Sequence, residues 1–279
     1  MSQNQSSDFN LRPCTSDDFN SLLYLKNLLY PDHPTSIESM LHHEESRGDI
    51  IKHKDWVWEK DNAIIAYALY TQWEDSYHPQ RFVIKIYVHP EQQGQGYGAI
   101  CFDHIIKKLE PFDPIKISVQ IHEPHAQSIR FFKKRGFNNT ITERESCLDL
   151  LKYDPKLFRG DIDHVINQGF HITTLSELRK EDKKADHKAW ELERDVGPDM
   201  PWIDPITIPE YDIYKKKVFA HPKFNPKSWF IILDDGRIAG LNNLWKNEIV
   251  KGIDTGLTGV RREYRRRGIA TALKHTSVI

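Results

Sequence analysis

The chain is poor in sulfur, with three cysteines and three methionines in 279 residues. Cys14, Cys101 and Cys147 are too few and too scattered for a disulfide framework, which points to a reducing compartment. Long apolar runs are missing as well; none approaches the ~18–20 residues that a membrane-spanning helix needs. Charge of one sign is also lacking. Lysine and arginine number 39 against 40 acidic residues, a formal net charge of −1. That balance argues against a chain whose main task is coating nucleic acid or an anionic membrane. Residues 1–9 are polar, without an apolar signal core, and read as a disordered tail on a cytoplasmic protein. Neither G-x-S-x-G nor G-x-x-x-x-G-K-[ST] occurs. The histidines lack ligand spacing: His42-His43-Glu44-Glu45 has no i, i+4 histidine pair and no cysteine partner, so no metal is expected.

What is present suffices for a core: 39% hydrophobic and 28% charged residues, over a length that suits one large domain or two ordinary ones. Residues 10–13 read as a strand. Thr15-Ser16-Asp17-Asp18 is a helix-start signal ahead of Phe19, Leu22, Leu23 and Leu25. A second helix surrounds 37–45. Residues 56–59 and 63–73 form a hairpin around Asp61-Asn62, and a strand covers 82–88. A glycine-rich turn then leads into a helix ending near Pro111. Residues 115–121 alternate as a strand does, 125–135 are helical up to Gly136, and 137–150 are strand-like again. After 153–168, a linker with a short helix, the order restarts. A strand at 170–175 precedes helices at 177–194 and 210–219. A hairpin of 229–233 and 237–245 turns at Asp234-Asp235-Gly236, a strand covers 256–260, and a helix runs from Gly268.

The glycine-rich turn, Val88-His89-Pro90-Glu91-Gln92-Gln93-Gly94-Gln95-Gly96-Tyr97-Gly98-Ala99, carries the most information. A glycine turn between a strand and a helix leaves backbone N–H groups unpaired and aimed one way, and the helix dipole favours an anion there. Val260-Arg261-Arg262-Glu263-Tyr264-Arg265-Arg266-Arg267-Gly268-Ile269-Ala270 echoes it. Aligning Gln93 with Arg265 brings the preceding elements into register at an offset of 172 residues, which indicates an internal duplication. The expected domains are 10–152 and 169–279. Only 11 residues follow Gly268, so the second copy is expected to be C-terminally incomplete. Read alone, Gly94-Gln95-Gly96-Tyr97-Gly98-Ala99 also fits the dinucleotide pattern G-x-G-x-x-A, with Glu110 or Asp113 as the ribose acid. That fold wants its first glycine at the strand end, however, and five residues intervene here; the second copy has Gly268 alone. A plain connecting turn is the third reading.

Gln93-Gly94-Gln95-Gly96-Tyr97-Gly98 resembles the Q/R-x-x-G-x-G/A motif of the GCN5-related N-acetyltransferases, and Arg265-Arg266-Arg267-Gly268-Ile269-Ala270 resembles its R-x-x-G-x-A form. Ser128-Ile129-Arg130-Phe131-Phe132-Lys133-Lys134-Arg135-Gly136-Phe137 resembles the family's later signature, A-I-x-F-Y-x-K-x-G-F. The resemblance implies an α/β (α+β) chain of two tandem folds, each a mixed, mainly antiparallel sheet flanked by helices. It implies acetyl-CoA as co-substrate and a primary amine of a small molecule or peptide as acceptor. The pyrophosphate would rest on the amides of Gln93, Gly94, Gln95, Gly96, Tyr97, Gly98 and Ala99, and the pantetheine arm would lie like an added strand beside Tyr87 and Val88. Ser128 and Phe132 complete the donor set of the first copy. Val260, Arg265, Arg266, Arg267, Gly268, Ile269 and Ala270 form that of the second.

An acceptor amine with a pKa near 10 is only about one-thousandth neutral at pH 7, so a base helps, and the leaving thiolate is helped by an acid. The family's usual acid is the tyrosine of the F-Y pair, and Phe132 stands there; His125 stands where the family often has asparagine. Tyr87, His122, Glu123 and His125 are the candidate replacements. The alternative function is an acyl-CoA-binding module with one degenerate, structural or regulatory copy. The arginine run 261–267 has three readings: a nucleic-acid patch, a solvated helix entrance, or guanidinium groups flanking a CoA phosphate. Near-neutral overall charge favours the last, so no nucleic-acid or membrane partner is expected. Trp56, Trp73, Glu74, Asp75 and Tyr77 suit either a cleft for a cation or hairpin packing. A homodimer is left open.

Overall fold

The computed structural model describes residues 9–247, 249 and 251–278, so the tail expected over 1–9 lies, up to residue 8, outside them. The chain divides into two compact units, residues 1–138 and 139–279. No helix among the described residues is long and apolar enough to cross a membrane.

In the first unit, β1 (Asn10–Pro13) leads to α1 (Phe19–Leu29) and α2 (Ile37–Glu45), then β2 (Lys54–Lys60), β3 (Ala63–Thr71) and β4 (Arg81–Val88). Then follow α3 (Tyr97–Leu109), β5 (Lys116–Ser118) and α4 (Ala126–Lys133). The sheet order is β1-β2-β3-β4-β5, antiparallel except for the parallel β4/β5 pair. Thr15 and Asp18 close a capping box ahead of α1, as the helix-start signal requires. Asp61 and Asn62, at φ 50° and 64°, make the tight β2–β3 turn, residue types that tolerate this backbone. Side chains alternate across the sheet. Trp56, Trp58, Ala66, Ala68, Tyr70, Phe82 and Ile84 pack with Tyr97, Cys101, Ile105 and Leu109 of α3. Val57, Tyr67 and Leu69 pack with Leu22 and Leu25 of α1 on the opposite face. With both faces covered, the middle of β3 reads as one continuous apolar run.

The second unit contains α5 (Arg159–Ile166), β6 (His171–Thr174), α6 (Leu175–Glu181), α7 (Ala185–Val196) and α8 (Tyr211–Tyr214). It continues with β7 (Trp229–Asp234), β8 (Arg237–Asn247), β9 (Gly252–Val260) and α9 (Ile269–Thr276), and its sheet runs β6-β7-β8-β9, antiparallel throughout. Trp229, Ile231 and Leu241 are buried against Leu175, Ala189 and Leu192 on one face. Ile232 and Ala239 pack with Ile269, Ala272, Leu273 and Val165 on the other.

Several expected elements differ. The strand expected over 137–150 is absent: residues 139–150 are exposed and form no ladder. A period-two pattern specifies which side chains share a face, but a strand also needs a neighbouring backbone to bond. The strand expected at 115–121 shrinks to three residues, with consequences for the site below. The helix expected over 177–194 breaks between α6 and α7, where Asp182 leaves the helical region and its carboxylate accepts from the Lys184 amide at 2.8 Å. The one expected over 210–219 is a short α8 followed by a π turn over Lys215–Phe219. The strand expected at 256–260 begins earlier, at Gly252.

Candidate functional site

At the end of β4 the chain makes a 3-10 turn over Pro90–Gln92 and then passes through Gly94 (φ 78°) and Gly96 (φ 95°) into α3. Both glycines sit in the left-handed region, where a side chain is strained. The Gln93 side-chain amide donates to the Val88 carbonyl at 3.1 Å and Gln95 to the Glu91 carbonyl at 3.1 Å, which fixes the curl of the loop. Among the described residues, the backbone amides of 94–98 meet no protein acceptor. Five unpaired donors and the positive end of a 13-residue helix thus sit together on one loop. Tyr97 is itself core, 8% exposed and edge-on to Phe9 at 5.8 Å, so the cradle is made of backbone.

The shortened β5 opens a gap beside this cradle. β4 and β5 pair only at Arg81–Lys116, Phe82–Ile117 and Val83–Ser118. From Ile84 to Val88, β4 pairs with β3 on one side and has no ladder partner on its other edge among the described residues. The result is a wedge in the sheet, closed at Val83 and opening toward the amides of 94–98. An extended ligand can add to such an edge as a strand does.

At the mouth of the wedge the structure gathers residues from four distant segments. The Tyr30 ring, at the end of α1, lies 6.0 Å from Tyr87, 4.8 Å from His122 and 5.1 Å from His125. His33 lies 4.9 Å from His122, and Tyr87 stacks on Tyr67 at 5.9 Å. Three of the four sequence candidates, Tyr87, His122 and His125, thus come together; Glu123 is exposed on the turn that carries the two histidines. Tyr30 and His33 had no sequence signal, because nothing local distinguishes a ring at a helix end. Burial pushes the Tyr87 phenol well up, with the neighbouring Tyr30 adding to it, and burial raises Tyr30 also. Both phenols stay protonated at neutral pH, so they can donate a hydrogen bond and cannot serve as bases. Phe132 is core, 7% exposed among Phe102, Phe131 and Phe137. Ser128 is half-buried on α4, and Cys101 is buried, its thiol pushed up to about 12 by desolvation. Trp56 is core and Trp73 half-buried.

The second turn repeats the backbone. Arg266 (φ 64°) and Gly268 (φ 82°) lead into α9. Arg265 Nε donates to the Val260 carbonyl at 3.0 Å, as Gln93 does to Val88, and the amides of 266–270 meet no protein acceptor among the described residues. Its surroundings differ. β9 ends the sheet, so no wedge forms among the described residues. Four of the five arginines of the run are tied down inside the unit. Arg261 pairs with Asp195 and donates to the Ile238 carbonyl. Arg262 and Arg265 share Asp199. Arg267 donates to Gln168 at 3.0 Å and lies 4.4 Å from the Phe170 ring centre. Only Arg266 is exposed without such a partner. A Cβ on Gly268 would lie 3.2 Å from His164 of α5.

Residues 22–137 match the family model described as the Acetyltransferase (GNAT) family. No curated protein matches the chain. Among solved structures, the chain is similar to a GCN5-related N-acetyltransferase from Sphaerobacter thermophilus, with a TM-score of 0.64 and 16% identity over 98% of this chain and 82% of that one. It is similar to a tandem GNAT protein from the clavulanic acid biosynthesis pathway, with a TM-score of 0.65 and 14% identity over 97% of this chain and 84% of that one. It is also similar to a glucosamine N-acetyltransferase region of a fungal multi-domain β-N-acetylglucosaminidase, at 0.65 and 14% over 97% of this chain. This chain spans 33% of that last protein. At these identities the likeness is one of fold.

Proposed function

We propose that the first unit, whose residues 22–137 match the acetyltransferase (GNAT) family model, transfers an acetyl group from acetyl-CoA to a primary amine. One observation carries the reading: the wedge along Ile84–Val88 ends at the free amides of 94–98. A thioester donor with a pyrophosphate and an extended amide-bearing arm needs both features, in that order. The pyrophosphate takes the amides of residues 94–98, flanked by Gln93 and Ala99. The arm's amides pair with the free edge of β4, and a backbone N–H beside Tyr87 or Val88 polarises the thioester carbonyl. Attack by the neutral amine forms the new C–N bond, the C–S bond breaks, and the electron pair leaves on the thiolate. The amine proton passes to an imidazole at the wedge mouth, His122 or His125, directly or through water. Tyr30 and Tyr87, protonated, offer hydrogen bonds to the departing sulfur. A thiol ionises near pH 8.5, so the thiolate leaves without a strong acid.

The second unit is assigned a weaker donor site: its turn has the amides of 266–270 but no wedge. Calorimetry with acetyl-CoA tests the whole reading. One equivalent of heat, lost in Gly96→Trp and kept in Gly268→Trp, is the expected result; no heat from the intact chain sinks it. Release of CoA against a panel of amines then separates an enzyme from a binding module.

A further inference from the structure

Buried charge without a partner is expensive, and a fold that keeps it usually meets an anion there. Between α1 and β4 of the first unit lie two such charges. Lys26 projects from α1 onto the sheet, its Nζ 5.4 Å from the Tyr67 ring centre and 5.9 Å from that of Tyr87. Lys85 lies two residues before Tyr87 on β4, and so on the same face. Both are half-buried. Neither has a hydrogen bond or an ion pair to any described residue, although surface lysines elsewhere in the chain, such as Lys180 and Lys188, find carboxylates at 2.7–2.8 Å.

The groups around them do not cancel this charge. Asp55 accepts from the Tyr67 hydroxyl at 3.0 Å and lies 3.9 Å from His53. Glu44 is paired with Arg47. His43 is held toward its neutral form by burial, with Arg47 and Lys85 adding to that. Burial, reinforced by Lys85, draws Lys26 down to about 8, and burial lowers Lys85 too. Counting Lys26, Lys85 and Asp55 as charged leaves one net positive charge, which a single carboxylate neutralises and a phosphate dianion overshoots.

We propose that Lys26 and Lys85 form an anion subsite that holds the carboxylate of the acceptor, so that the substrate is an amino acid or another carboxylate-bearing primary amine. This rests on the acetyl-transfer reading of the same unit. Lys85 and Tyr87 share the stretch of β4 whose outer edge is the wedge, so a carboxylate held at Lys26 and Lys85 leaves the amine on the wedge side of the Tyr87 ring. Tyr67 and Tyr87 supply apolar walls for the carbon atoms between the two ends. Lys26 and Lys85 are thereby specificity residues.

The test is binding of the proteinogenic L-amino acids and their carboxamides to the full chain, by calorimetry without donor. At least one amino acid is expected to bind ten-fold or more tightly than its carboxamide, and Lys26→Met and Lys85→Met are expected to close that gap. Equal affinities for acid and carboxamide, no binding by any acid, or a gap that survives both substitutions overturns the subsite. Thermal unfolding gives a second readout that a structural role would move the other way. Removing an uncompensated buried charge raises the melting temperature of Lys26→Met at pH 7, and a fall overturns the proposal. Acetyl-CoA binding by the same variants separates the two readings. If the intact chain binds no acetyl-CoA, the transfer reading fails while the carboxylate measurement stands on its own. If the donor binds and acids and carboxamides are used equally, only the subsite fails.

Discussion

In the first unit Gln93 reaches back to the Val88 carbonyl; in the second, Arg265 reaches back to Val260, and a left-handed glycine opens the helix in each. The two loops are built alike, yet only one of them stands beside a gap in its sheet. The first lies where β4 and β5 part after Val83, whereas the second follows a terminal strand, with Asp199 holding two of its arginines and α5 against its glycine. The difference extends into the strands. Ile84 is fully buried against α3. At the 172-residue offset stands Gly256, where a Cβ would come 2.1 Å from Asn243 Oδ1 and 2.6 Å from Trp245 Nε1. That Asn243 is the hub of a buried polar set: it donates to Glu193 at 3.2 Å and accepts from Trp245 Nε1 and the Leu257 amide. The second loop therefore repeats the backbone of the first without the gap in the sheet beside it.

The largest break in this comparison comes from the glycines of the two loops. Gly96→Trp is expected to weaken acetyl-CoA by roughly 10³-fold, about 4 kcal/mol, while Gly268→Trp leaves the main binding event within a few-fold in the same titration. Next comes the strand position. Ile84→Ala is expected to cost about 3 kcal/mol by deleting a fully buried side chain, and Gly256→Ala about 2 kcal/mol by overpacking the Asn243 set. Denaturant unfolding of each variant checks the pair. Bulk required at one register position and forbidden at the other would show that the two units have diverged in their cores. A smaller effect belongs to the loop brace. Gln93→Ala is expected to cost about 1 kcal/mol, whereas Arg265→Gln, which retains a donor to Val260, stays within about 0.5 kcal/mol.

A further effect is read in pH, and it belongs to the first unit. The Lys26 ammonium titrates near 8 when folded and 10.5 when unfolded. Between these values the unfolded chain binds more protons, so stability rises with pH across that window, and the cost of the buried charge is fully present below about 8. Lys26→Met is expected to flatten the rise; an unchanged slope in melting temperature between pH 8 and 10 would remove Lys26 as its source.

Much of this was legible along the chain, for a physical reason. Helix starts, tight turns and glycine loops are made by residues close in sequence, so Thr15 with Asp18, Asp61-Asn62, and Gln93 through Gly98 announced themselves. The repeat was legible because both loops use the same short-range chemistry. The break at Asp182 was missed because one carboxylate bonding a nearby amide is a small signal inside an amphipathic pattern. The strand expected at 137–150 failed because pairing requires a second backbone, which no window of residues contains.

The sequence by itself determined the two cradles, the hairpins and the alternation that covers β3 on both faces, since each depends on backbone conformation and spacing over a few residues. Only the tertiary structure decided that β5 stops after three residues and leaves a wedge. It alone gathered Tyr30, His33, Tyr87, His122 and His125 at one mouth, bound four arginines of a conspicuous run to partners in their own unit, and left Lys26 and Lys85 without a carboxylate partner among the described residues. These outcomes depend on which distant segments meet, and on whether a charge finds its counterion when they do.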